Sequence, residues 1–75
     1  MVKIENITQD GNTITIDCFE EGDRTRHHHV VFDIDTWQIL NGIQNNIYIR
    51  QSIARVGTLF EENPILPKEA CSYWY

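Results

Sequence analysis

The sequence predicts an α+β domain: an antiparallel β-meander of three to four strands, followed by one amphipathic helix packed on one sheet face. Three observations carry this. Apolar and polar residues alternate through roughly the first half of the chain, the two-residue period of half-buried strands. Turn-forming stretches, "QDGN" at 9–12 and "EGDR" at 21–24, separate the alternating runs. From Asn45 onward the apolar spacing lengthens to three and four, which places Ile49, Ile53, Val56 and Phe60 on one helical face with Leu59 alongside.

The elements follow in order. Val2 and Ile4 alternate with Lys3 and Glu5, giving a first strand over about 2–8. Ile14, Ile16 and Cys18 alternate with Thr15, Asp17 and Phe19, giving a second over about 12–20. "RTRHHHVVFDID" supplies a third over about 25–34, and "DTWQIL" a turn and a short fourth strand over about 37–40. The helix spans about 45–62. Asn45 or Asn46 can cap its start, and Pro64 forces it to stop near Asn63. Gly57 costs a helix about 1 kcal/mol relative to Ala, so its presence marks close packing, expected against the sheet. The tail, 64–75, is aromatic enough to pack back on the domain.

Side-chain alternation makes register decisive, because a slip of one residue exchanges the two faces. A three-residue Gly22-Asp23-Arg24 loop puts Ile14, Ile16, Val30, Phe32 and Ile34 on one face; a two-residue loop scatters them. Burying such side chains contributes about 1.5–3 kcal/mol each, which favours the first. It sets Cys18 across from His28 on the core side. Asp17 then faces His29, and Phe19 faces His27, on the outer side. For the first hairpin, a Gln9-Asp10-Gly11 loop pairs Ile4 with Ile16 and Val2 with Cys18. Ile7 breaks that pattern unless a bulge near Asn6 restores it.

Composition narrows the function classes. A chain of 75 residues is a single domain, 1–75, with little room for an enclosed cleft. Hydrophobic residues make up 41% of it, enough for a folded core. Eleven acidic residues against six basic ones give a formal charge of −5. Direct nucleic-acid binding through phosphate contacts needs the opposite balance. No stretch is apolar for long enough to be a signal peptide or membrane span. Cys18 and Cys71 are far apart and fit no CxxC pattern. The expectation is a cytoplasmic protein with reduced thiols and no membrane partner. Met1 and the terminal "CSYWY" read as the two ends of a complete gene product.

The histidines pose the sharpest chemical question. His27 and His29 share one strand face with Asp17, a candidate three-ligand zinc set. Set against this, the site is open and Cys18 faces away from it. A pH-responsive cluster is the other specific reading, and three polar residues on an ordinary strand the general one. His28, on the core side, is expected to have its nitrogens satisfied by neighbours. No glycine-rich phosphate loop is present, and Glu20-Glu21 and Glu61-Glu62 read as solvated pairs. No cofactor and no enzymatic activity are expected.

The aromatics offer candidate partner-binding residues: Trp37 at a turn, and Tyr73, Trp74 and Tyr75 at the C-terminus. Trp and Tyr are enriched in interface hot spots, although Trp74 also suits closing a small core. The stretches "VKIENI" at 2–7, "ILPKEA" at 65–70 and "WY" at 74–75 resemble small uncharacterised bacterial and phage-encoded proteins. Those proteins have a KIENI-like opening strand, a helix in the last third and a PKE segment before a terminal aromatic pair. The resemblance implies a bacterial or phage cytoplasmic setting and supplies no activity.

The function expected first is a small acidic protein-interaction module, of the kind a phage or mobile element encodes to inhibit an as yet unknown host protein. A homo-oligomer, such as a homodimer, binding a small ligand with Arg50 and Arg55 as anion anchors is the alternative. The weak metal or pH site at His27, His29 and Asp17 is the third.

Overall fold

The computed structural model describes residues 1–74 and shows an α+β fold. Three strands run in sequence, β1 (Val2–Asp10), β2 (Thr13–Glu20) and β3 (His27–Asp33). One helix, α1 (Ile47–Glu62), and a short strand, β4 (Ala70–Ser72), follow. The antiparallel sheet has the order β3-β2-β1-β4. The meander supplies three strands, and the tail returns to pair with β1.

The register of the second hairpin is the one that gathers the apolar side chains. Asp17 pairs with His29, Cys18 with His28 and Phe19 with His27. Ile14, Ile16, Val30 and Phe32 are fully buried on one face, and Ile34 nearly so. The first hairpin differs from expectation. Gly11, with φ +60°, and Asn12 form a two-residue turn between Asp10 and Thr13. A bulge between Glu5 and Thr8 then shifts the ladder, with Asn6 at φ +53°. The result pairs Ile4 with Cys18 and Val2 with Glu20, two residues away from the expected partners. Moving by two preserves the face, so Val2 and Ile4 still point to the core. The bulge at Asn6 also turns Ile7 inward, where it is buried.

The helix covers this apolar face. Ile49, Ser52, Ile53 and Val56 are buried along its inner side, with Phe60 half-buried against the core. Asn46 caps it: its side-chain oxygen accepts from the Ile49 amide at 2.9 Å. At the far end the Asn63 amide donates to the Leu59 carbonyl, and Pro64 prevents another turn.

Two parts of the sequence-based outline are replaced. No strand forms over 37–40; a single bridge joins Phe32 and Ile39. The reason lies in Asp33, whose carboxylate accepts from the Asp35 and Thr36 amides at 2.8 and 3.0 Å and turns the chain. Trp37 leaves that turn in the left-handed region, with φ +64°, far from the extended backbone of a regular strand. The fourth strand lies instead in the tail, at Ala70–Ser72. Tyr75 falls outside the described residues.

Phe32 is fully buried at the centre of this single core. Phe32→Ala is expected to cost about 3–5 kcal/mol, enough to leave so small a domain largely unfolded. Urea unfolding followed by circular dichroism checks this.

Candidate functional site

The open face of the sheet is a closed polar network. Asp17 stands at its centre. Its Oδ1 accepts from His27 Nε2 at 2.8 Å and His29 Nδ1 at 3.0 Å, and its Oδ2 accepts from Asn6 Nδ2 at 2.8 Å. The bulge that buries Ile7 thus also delivers Asn6 to Asp17. Phe19 stacks on His27 with ring centroids 4.9 Å apart. The Arg24 guanidinium lies over the Phe19 ring, 4.1 Å from its centroid, and pairs with Glu5, which Lys3 also approaches at 3.7 Å. Glu5 thus has Arg24 and Lys3 beside it, and Asp17 has three side-chain donors.

His27, His29 and Asp17, expected on one strand face, do lie in contact. Their arrangement is a carboxylate shared by two imidazoles. Both ring nitrogens converge on one oxygen at hydrogen-bond distance. A zinc ion held at about 2.0–2.1 Å from each donor would have to push them apart. Among the described residues, no group of three His, Cys, Asp or Glu side chains has a geometry that could hold a metal ion. Partial burial would raise the Asp17 pKa, but the hydrogen bonds from Asn6, His29 and His27 outweigh it. They hold the carboxyl at about 2, below the ordinary 3.8.

On the core side, Glu20 departs from the solvated pair expected of Glu20-Glu21. It is buried, because strand alternation carries it to the same face as Cys18. Its carboxylate pairs with Arg26 and contacts His28 Nε2 at 2.5 Å. Asn46, the helix cap, donates to the same group at 3.4 Å. The His28 contact, with Arg26 beside it, lowers the Glu20 pKa. Glu21 pairs with the Met1 ammonium at 3.0 Å and accepts from the Tyr48 hydroxyl at 3.0 Å. Both acids thus hold the start of α1 to the end of the sheet.

The edges of the sheet are also managed. Beside β3, the segment 38–41 follows the strand: Asp33 and Leu40 amides donate to the Gln38 and Val31 carbonyls. Asn41 donates to the His29 carbonyl at 2.7 Å. At the other edge β4 is three residues long, which leaves little ladder to extend.

The concave surface lies on the outer flank of α1. Trp37 lays the far end of its indole on Gly57: a β-carbon there would come within 2.1 and 2.4 Å of two ring atoms. Gly57 leaves space for Trp37, and the close approach expected with the sheet is made with a loop instead. Beside the indole runs an open groove of about 430 Å3, floored by Ile53, Ala54 and Gly57. Arg50 and Glu61 stand along the same helix, with Asn45 and Thr58 completing the lining. Arg55, the other arginine expected as an anion anchor, does not line it.

The four candidate partner-binding aromatics separate. Trp37 is 43% exposed at the groove. Trp74 packs against the core and meets Tyr48 edge-on at 5.5 Å. Tyr48 and Gly57 are nine residues apart, about 180° around the helix at 100° per residue. The two tryptophans therefore grip α1 from opposite flanks. Tyr73 is 69% exposed, away from any described packing. Tyr75 lies outside the described residues. Sequence reasoning missed the groove as a unit; the signal was Gly57 in an apolar helix with a tryptophan in the preceding turn.

No helix is long and apolar enough to cross a membrane among the described residues. Comparison with known proteins yields no match to a protein family, a curated protein or a solved structure.

Two outcomes are expected. In Gly57→Ala, made in a Trp74→Phe background, the indole of Trp37 leaves the helix and its fluorescence shifts to the red. The helix-propensity gain of about 1 kcal/mol offsets the lost ring contact, so stability moves little. Acid has a signed effect. Folding lowers the pKa of Asp17, so its ionised form stabilises the fold above 3.8, and that contribution is lost as pH falls toward about 2. Asp17→Asn should flatten the dependence of Tm on pH across this window.

Proposed function

We propose that this chain is a small protein-interaction module of a bacterial or phage cytoplasm, encoded to engage and inhibit a host protein, with the outer flank of α1 as its contact surface. The single observation that supports it is the groove beside Trp37. It joins a half-exposed indole to an apolar floor and lies apart from the sheet's polar network. The open sheet face is occupied by its own ion pairs and stacked rings, and the β3 edge by segment 38–41. Ile47, in the first turn of the same helix, is also exposed. The groove is too open to enclose a small molecule, whereas a protein partner would cover it together with its rim.

Photo-cross-linking in the native host provides the test. A photoreactive residue at Ala54, on the groove floor, should trap a discrete foreign protein. The same residue at Thr15, on the open sheet face, should not. Equal trapping at both sites, or none at Ala54, would refute the module.

A further inference from the structure

The helix carries its charges in the reverse of the order its dipole favours. No acid stands in the first turn and no base in the last. Arg50 sits near the N-terminal end, and Glu61 and Glu62 close the C-terminal end, where negative charge is disfavoured. Lys3, Arg24 and Arg26 are all paired with acids on the sheet. Arg50, Glu61 and Glu62 make no ion pair among the described residues. Two of these three, Arg50 and Glu61, line the groove.

Their placement is linear. At 100° per residue, Arg50, Ala54, Gly57 and Glu61 fall within about 60° of one another around the axis. Arg50 and Glu61 are eleven positions apart, about 16 Å along a helix rising 1.5 Å per residue. Small residues lie between them, and the indole of Trp37 walls one side. An extended chain advances about 3.3 Å per residue, so roughly five residues span the two charges.

Resting on the interaction-module proposal, we infer that the groove binds an extended segment of the partner protein, with an acidic residue at Arg50, an apolar side chain against Trp37 over Ala54, and a basic residue at Glu61. Charge complementarity at both ends fixes which way the segment lies. Glu62 beside Glu61, and the chain's overall charge of −5, favour a segment that is neutral or net basic. Binding neutralises the unfavourable acids of the last helical turn, so the local charge arrangement becomes a source of affinity.

Panning the full chain against a random peptide display library tests this. Enriched peptides should carry an acid and a base about five residues apart with an apolar residue between them. Ala54→Arg, on the exposed floor, should weaken a synthetic peptide from that set by tenfold or more. The decisive variant is the exchange Arg50→Glu with Glu61→Arg, which should select peptides with the acid and base in reversed order. Misfolding cannot produce that result. No enrichment, or enrichment without charge order, would overturn the inference. So would a concentration-dependent dimer abolished by Ala54→Arg, since the occupant would then be a second copy. Cross-linking to a foreign protein at Ala54 without charge-ordered peptides would overturn this inference alone and leave the interaction module standing.

Discussion

The buried carboxylate of Glu20 is the joint at which the sheet and the helix meet. A carboxylate cannot leave water without partners, since an isolated buried charge costs several kcal/mol or more. Here the partners come from two other elements. Arg26 and His28 approach from β3 and its turn, and Asn46 from the cap of α1. Asn46 in turn accepts from the Ile49 amide, in the first helical turn, with its own oxygen. The strand therefore supplies from outside the negative charge that the first turn of the helix lacks. Where α1 begins, and how it crosses the sheet, follow from satisfying one acid.

From that joint the two sides of the molecule divide their roles. The inner face of the sheet is apolar around Phe32 and sealed by Ile49, Ile53 and Val56. The outer face cannot be covered by a single helix, and it is made tolerant of water by charge pairing around Asp17 and Glu5. With the sheet closed on itself, the flank of the helix carries a half-exposed indole, a small-residue floor, and an arginine and a glutamate without ion-pair partners among the described residues. The strained left-handed conformation of Trp37 belongs to this set. It is the kind of local cost that persists where a side chain must be held in one place.

Much of the fold was legible because the sequence offers one register in which the apolar residues agree. Ile14, Ile16, Val30, Phe32 and Ile34 point together in one alignment and scatter in the next. Asn46 and Pro64 similarly bracket the helix by local chemistry alone. The rest depended on features with weaker signatures. The Gly11-Asn12 turn combined with the bulge near Asn6 moves residues 2–5 by two positions from the register of the longer loop through Gln9, so hydrophobic alternation could not separate the two. "ACS" at 70–72 has no pattern of its own and becomes a strand because β1 offers an edge. "DTWQIL" alternates passably, yet the Asp33 side chain bends the backbone before it can extend. The groove was hidden for the same reason: it is made by a loop and a helix that no periodicity connects. His27, His29 and Asp17 were found together, but only coordinates show the two imidazoles meeting on one oxygen.

Cys18 and Cys71 differ in a way that has a practical consequence. Cys18 lies fully buried between the sheet and Ser52, and burial pushes its thiol up to about 11. Cys71 sits half-buried on the three-residue strand at the sheet's margin, across from Lys3. A thiol reagent reaches the first when the core parts, and the second when the margin frays. The native chain thus holds two chemical clocks, one timing whole-domain opening and the other the loosening of its last strand.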